Sequence, residues 1–538
     1  MSTDNLSFLL EQGMTSEEIQ RYMNDGVSLE ELANAAKRTV DQYGSLGAAA
    51  ASNTIRPPDY SDAGNAEVFS RVYRENLIFV DALGWLWWNG QRWERSDHQA
   101  LTYAINLSQD MLQDALAAYR EALHKYADAA AKEAETNSEA DTAAKEKAAE
   151  EQKKEKQYLT HAQNLRGSMR LKHMLELSKP SFVLKADKLD ANPVDLNTPA
   201  GIVNLTTGNI RPHEKQAYCS QITAASPSED GKAMWEKFLH TITTGDGSIQ
   251  GFLQMVAGMA LIGTVYHEGI VIAYGGGRNG KSTFFNALGS VLGDYSGNVD
   301  IKALTTDRGN KGAALATLRG KRLVVTGELE EHQRLSAATL KQVASTDQMI
   351  IEEKYKQPES ITPSHTLVLF TNHLPRVGST YSGTWRRLVV VPFNATIPQS
   401  TGVQNYAETL VKEAGGAILS WAIEGAVNFV RNGFKLDLPD AVAEATEKYQ
   451  QRENWLENFI NERCIRKPGA REGGRALYLE YKNWAQDAGE YVHRERDFAQ
   501  AMEAAGYMKI KPKGKNTYLG IQIDYEAIPL DPVYNVVL

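Results

Sequence analysis

Between Gly275 and Ser282 the chain reads Gly-Gly-Gly-Arg-Asn-Gly-Lys-Ser, the full spacing of a loop that grips nucleoside triphosphate phosphates. Gly275, Gly276, Gly277 and Gly280 allow backbone N–H groups to close around phosphate oxygens, with Arg278 and Asn279 between them. Lys281 brings a point charge to the β- and γ-phosphates, and the Ser282 hydroxyl suits Mg²⁺. Downstream, Glu328 and Glu330 follow an apolar run. A carboxylate there can hold the metal shell and polarise an attacking water, with Glu328 the first choice for both and Glu330 the second. Asn372, at the end of another apolar run, can contact the γ-phosphate or orient water. Arg386 and Arg387 are two guanidinium groups able to stabilise charge on a transferring phosphoryl group. Lys354, Tyr355 and Lys356 combine two cations with a ring, a set suited to gripping the backbone of single-stranded DNA.

These groups need a sheet to hold them. Val271–Tyr274 reads as a buried strand running into the loop, and Thr283–Leu292 as a helix whose N-terminal dipole faces the anion. Two more apolar strands are read at Lys321–Glu331, ending in the carboxylates, and at Thr366–Thr371, stopping at Asn372. A further run, Leu388–Phe393, begins after the arginine pair. The alternating segment 347–358 predicts a hairpin with the Lys-Tyr-Lys tip.

At 538 residues the chain exceeds one core. Net charge is -9, so nucleic-acid binding has to rest on local basic clusters. Cys219 and Cys464 lack metal-ligand spacing, which excludes a zinc ribbon and points to a reducing compartment. The absence of a leader and of long apolar runs gives a cytoplasmic expectation, with no membrane partner.

The pattern divides the chain into residues 1–55, a short helical arm and linker; 56–225, an α/β domain with a charged helical insert at about 110–157; 226–395, the ATPase core; 396–450, a helical connection; and 451–538, a C-terminal domain. Trp85, Trp87, Trp88 and Trp93 around Asn89-Gly90 read as a tight hairpin, better suited to a small core than to base stacking.

Taken in order, Gly275 to Ser282, Glu328 with Glu330, Lys354 to Lys356, Asn372 and Arg386-Arg387 resemble the superfamily 3 helicases, and more narrowly the poxvirus-type primase-helicases of phages, plasmids and mobile elements. The resemblance runs from about Glu67 to the end. It implies an α/β fold: a P-loop AAA+ motor behind a mixed α/β N-terminal domain, followed by a C-terminal winged helix. It also implies a homo-hexameric ring, an arginine finger supplied in trans by Arg386 or Arg387, and a pore hairpin carrying Lys354 and Lys356. Lys511, Lys513 and Lys515 fall on the wing as phosphate contacts, though a winged helix can equally dock protein. The expected activity is ATP-dependent, Mg²⁺-requiring unwinding of single-stranded and forked DNA in a bacterial host. The residues before the family region lack paired metal-binding carboxylates, so priming is expected from a separate primase or replication initiator. The rival expectation is a nucleotide-switched initiator that binds an origin without unwinding.

Overall fold

Four of the apolar runs and the short polar segment Ser296–Asn298, which the sequence reading did not pick out, form one parallel sheet. In chain order they are Ile270–Tyr274, Ser296–Asn298, Leu323–Thr326, Thr366–Thr371 and Leu388–Pro392. Across the sheet the fifth lies at one edge, then the first, fourth, third and second. The computed structural model describes residues 54–136, 138–305, 311–327, 334–351, 359–375, 377, 385–398, 404–488 and 491–527, together with Leu9, Ile19, Met23, Ser28, Leu29, Leu32 and Ala33.

Strand residues alternate between two cores, which is why the runs are apolar throughout and show no polar face. Val271, Ala273, Leu323, Val325, Val368, Val389 and Val391 join a core with the helices Trp235 and Phe284 sit on. Ile270, Ile272, Val324, Leu367, Leu369, Leu388 and Val390 face a second core with Leu304, Leu340, Val343, Trp385 and Tyr449. The result is a three-layer α/β arrangement with both faces of the sheet covered.

The helix Tyr406–Arg431, expected from sequence to be a connection, is a central part of the first core, packed on Lys281–Leu292 and Gly247–Met259. It meets Gly247–Met259 at backbone distance: a Cβ on Gly258 would stand 2.1 Å from the carbonyl carbon of Gly425, and one on Gly425 would stand 2.2 Å from the carbonyl oxygen of Gln254. Gly258→Leu is therefore expected to lower stability by about 3 kcal/mol or more through overpacking, read as a lower urea midpoint.

Contacts divide the chain into two units, Met1–Leu189 and Asp190–Leu538. The division differs from the sequence-based boundary at 225/226. Leu196, Val203 and Leu205, on and beside the antiparallel strands Asp195–Thr198 and Gly201–Asn204, bury into the core under the parallel sheet, so residues 190–225 pack with it.

In the first unit the antiparallel strands Leu77–Val80, Gly84–Trp88 and Trp93–Arg95 include the tight turn at Asn89-Gly90, with Gly90 at φ +98. Trp85 and Trp93 are buried. The charged insert is the outer part of a helical hairpin, Asp97–Thr136 and Glu139–Leu165, anchored at its base by Met111, Ala115, Tyr158 and Ala162. Among the described arm residues, Leu9, Ile19 and Ala33 share a small cluster with Leu29 and Leu32 packed against it.

The C-terminal part orders its elements as helix Trp455–Arg463, strand Cys464–Gly473, helices Gly474–Asp487 and Glu495–Ala504, then strands Lys509–Ile510 and Thr517–Ile523. The last strand pairs antiparallel with both others and lies between them. Trp455, Phe459, Tyr481, Trp484 and Phe498 fill its core.

Candidate nucleotide site and C-terminal basic surface

Strand register brings the loop residues together. Tyr274 is paired with Thr371 on one side and Pro392 on the other, so Gly275, Asn372 and Phe393 all lie one residue beyond the paired strands, at the carboxyl edge where open α/β sheets bind ligands. The Gly275 N–H donates to the Thr371 carbonyl at 3.4 Å, and the Asn279 amide donates to the Phe393 carbonyl at 3.1 Å. The Ile397 N–H donates to the Arg278 carbonyl at 2.8 Å, pinning the outer turn of the loop.

Lys281 is buried, 5% exposed, and its ammonium donates to the Gly275 carbonyl at 3.0 Å, Asn279 Oδ1 at 3.3 Å and Asn372 Oδ1 at 2.6 Å. This joins two residues 91 apart in sequence. The ammonium is thus held at the mouth of the loop, beside a polar amide on the neighbouring strand.

The glycines have distinct physical reasons. A Cβ on Gly275 would stand 2.1 Å from the Asn279 amide nitrogen and 2.4 Å from the Phe393 carbonyl oxygen. Gly280, at φ +82, would collide with Ile242 at 2.3 Å. At Gly276 and Gly277 a Cβ would meet nothing within 4 Å, so the outer side of the loop is open. The helix Lys281–Leu292 begins directly behind, with Ser282 exposed and Thr283 half-buried in its first turn.

The arginine pair separates. Arg387 is 7% exposed and faces inward: it pairs with the Glu268 carboxylate at 2.9 Å and donates to the carbonyls of Glu268 at 2.9 Å and Ala344 at 3.3 Å. Burial opposes ionisation of Glu268, but hydrogen bonds from Thr346 and the charge and hydrogen bond of Arg387 outweigh it and hold that carboxyl below its usual range. Arg386 is exposed. Sequence reading missed Glu268. Only the parallel pairing of Ile270 with Leu388 sets the residues before both strands side by side, and the sequence carries no signal of that register. Arg387→Ala should cost about 2 kcal/mol, because it strands two carbonyls and a half-buried carboxylate, whereas Arg386→Ala should stay within about 0.5 kcal/mol. Paired urea titrations of the two variants check this.

Glu328, Glu330, Lys354, Tyr355 and Lys356 lie outside the described residues. The strand Leu323–Thr326 that precedes the glutamates runs parallel to the Asn372 strand, and Gly327 leaves the sheet at the same carboxyl edge. The hairpin arms are Met349–Ile351 and Glu359–Ile361, paired antiparallel, with residues 352–358 between them.

Further contacts tie this edge to the C-terminal part of the chain. The helix Asp440–Glu453 accepts the Val390 N–H on Thr446 at 3.0 Å and the Val377 N–H on Glu453 at 3.1 Å, while the Tyr449 hydroxyl donates to the Pro375 carbonyl. Arg334 lies over the Tyr491 ring at 4.3 Å. The segment after Asn372 is therefore fastened to the helix leading into the C-terminal domain.

Lys511, Lys513 and Lys515 are exposed on the turn between the last two strands, around the short helical turn Pro512–Gly514. Cys219 and Cys464 are free thiols, and burial pushes both up to about 12, which keeps them protonated. Among the described residues no group of three His, Cys, Asp or Glu side chains is placed to hold a metal ion, and no helix is long and apolar enough to cross a membrane.

Comparison with known proteins adds family context. Residues 66–244 match the family described as D5 N terminal like, and residues 273–387 match a family of unknown function, DUF5906. A "Putative helicase" of Acanthamoeba polyphaga mimivirus is 25% identical over 324 residues, covering 55% of this chain and 33% of the relative. A "Putative primase" of African swine fever virus is 24% identical over 214 residues, covering 36% of this chain and 22% of the relative. The match thus spans about a third or less of these relatives. A solved structure of the NrS-1 C terminal region aligns with 55% of this chain and 78% of its own, at 12% identity and a TM-score of 0.35. The family and sequence matches support a relationship to the D5-like helicase-primases.

Proposed function

We propose that this chain is an ATP-driven DNA helicase for replication of a phage, plasmid or other mobile element, working as a homo-hexameric ring of superfamily 3, AAA+ type that translocates on single-stranded DNA. The observation that carries the reading is the Lys281–Asn372 hydrogen bond at the carboxyl edge of the sheet. It brings an ammonium and an amide to one point on adjacent strands, a pairing that supports phosphate binding by the first and γ-phosphate sensing by the second. The relatives named as helicase and primase support an enzyme of DNA replication.

In this reading the backbone of Gly275 to Gly280 cradles the phosphates, and Lys281 exchanges its carbonyl partners for phosphate oxygens. Asn372, released from the ammonium, aligns the attacking water, and Glu328, with Glu330 as its alternate, polarises that water. Ser282 and Glu328 are the residues that would hold Mg²⁺, which would supply positive charge to neutralise the phosphates. Exposed Arg386 is the finger that reaches a neighbouring subunit's site, since Arg387 is committed to Glu268 within its own chain. Lys354, Tyr355 and Lys356 grip the single strand in the pore.

The order of the C-terminal elements, helix-strand-helix-helix-strand-strand with the last strand central, supports a winged helix. Its tip carries Lys511, Lys513 and Lys515.

A fork-unwinding assay with ATP and Mg²⁺ tests the proposal, with Lys354→Ala/Lys356→Ala beside the unaltered chain. The expected result is strand displacement by the unaltered chain. The variant should keep basal ATP hydrolysis, lose displacement, and bind single strands with a shallower salt dependence. Hydrolysis without displacement by the unaltered chain would favour the nucleotide-switched initiator.

A further inference from the structure

Asn372 lies one residue past Thr371, where the paired register of its strand ends. The turn that carries it is shaped locally: the Thr371 hydroxyl donates to the His373 carbonyl at 2.8 Å and accepts the His373 N–H at 3.1 Å. The Asn372 amide oxygen itself accepts from the Lys281 ammonium at 2.6 Å. In the proposed reaction Lys281 turns to phosphate oxygens just when Asn372 has to stay in line with the attacking water. Another anchor must then hold the amide.

The helix Asp440–Glu453 offers one. Thr446, Tyr449 and Glu453 share one face of it at helical spacing, in line with the buried Val442. Thr446 accepts the Val390 N–H at 3.0 Å, which sets the helix against the edge strand of the parallel sheet. Beyond Asn372, the Tyr449 hydroxyl donates to the Pro375 carbonyl, and the Glu453 carboxylate accepts the Val377 N–H at 3.1 Å. Pro375 and Val377 are buried, where an unpaired main-chain group is costly. The Tyr449 ring is 1% exposed and stands edge-on to Trp385 at 5.3 Å, so packing fixes the direction of its hydroxyl. Burial, then the charge of Glu453, holds that hydroxyl well above its usual range, and it remains a donor. Three residues reach roughly 10 Å at full extension, so a clamp at Pro375 restricts where Asn372 can go.

We propose that Tyr449 and Glu453 are positioning residues for Asn372, keeping its amide in line with the attacking water once Lys281 has let it go. Their partners lie 74 and 76 residues away in sequence, on the far side of the edge strand's segment of the chain. The inference rests on the proposal that the chain hydrolyses ATP with Asn372 at the γ-phosphate. Because neither side chain is part of the phosphate loop, their loss should act on turnover and spare ATP binding.

Steady-state ATP hydrolysis by the full chain tests it, with hydrogen exchange on the same preparations. Tyr449→Phe keeps the ring against Trp385 and removes only the hydroxyl; it should lower kcat about tenfold or more and leave KM within about twofold. Glu453→Ala should do the same, whereas Glu453→Gln, whose amide oxygen can accept the Val377 N–H, should stay within about threefold of the unaltered chain. In an Asn372→Ala background Tyr449→Phe should lower kcat no further, since it acts through the amide already lost. Without nucleotide, exchange at Leu374 and Val377 should be faster in Tyr449→Phe and Glu453→Ala and unchanged across the C-terminal domain. Unchanged exchange at those two amides would overturn the clamp. Faster exchange with unaltered kcat, or the same loss of kcat with and without Asn372, would overturn the positioning role and leave the nucleotide site standing. Absence of turnover in the unaltered chain would end the ATPase reading, and this inference with it.

Discussion

Lys281→Ala is expected to reduce ATP turnover on the order of 10³-fold while leaving the protein folded. The ammonium is the cation aimed into the loop, and losing one preorganised charge-stabilising donor costs roughly 10²–10³-fold in comparable sites. Here the same substitution also frees the Asn372 amide oxygen and the Gly275 carbonyl from their shared donor, so the sensor and the loop lose their mutual alignment. The Gly275 carbonyl is buried and the Asn372 amide part-buried, so stranding them should cost about 1–3 kcal/mol. Steady-state phosphate release and a urea titration on the same preparation separate the effects. Turnover within a few-fold of the unaltered chain would remove Lys281 from the reaction.

Arg386→Ala should be comparably inactive, since a finger arginine contributes roughly 10³–10⁵ in rate, yet its inactivity should be curable by a partner. Mixed with Lys281→Ala, itself inactive, it should regain activity. In a head-to-tail ring assembled at random from equal amounts, about a quarter of the interfaces pair an intact loop with an intact arginine. ATPase activity plotted against mixing ratio should therefore rise to a maximum near equal proportions. Arg387→Ala should give no such rescue, because its partners, Glu268 and Ala344, belong to its own chain and its loss acts through stability. A flat mixing curve from subunits that demonstrably co-assemble would place the completing arginine within one chain.

The strand, loop and helix around Gly275 to Ser282 were legible in the sequence because their signals are local. Gly275 to Ser282 carries the strand exit, the backbone curvature, the charge and the helix start in one stretch, and the structure places strand, loop and helix in that succession. The apolar runs were legible too, because parallel strands covered on both faces leave no polar positions to blur them. Tyr449 and Glu453 carried no comparable signal. Both look like ordinary positions in a helical connection until the packing of the helix Asp440–Glu453 decides which main-chain groups they meet.

Strand order, register and side-chain direction belonged to the tertiary structure alone. Nothing in the sequence says that Asn372 lies beside Lys281, since that depends on Thr371 pairing with Tyr274 across a crossover of about ninety residues. Arg386 and Arg387 are indistinguishable as neighbours in sequence. Successive residues turn different ways at the start of a strand, so one was drawn into an ion pair with Glu268 and the other was left in solvent. For the same reason residues 190–225 and the helix Tyr406–Arg431 joined the core under the parallel sheet, although sequence had set them outside it. Local pattern determines which faces must be buried; which partner buries them is settled by long-range packing, where shape and register compete and adjacent positions in the chain carry no information about the outcome.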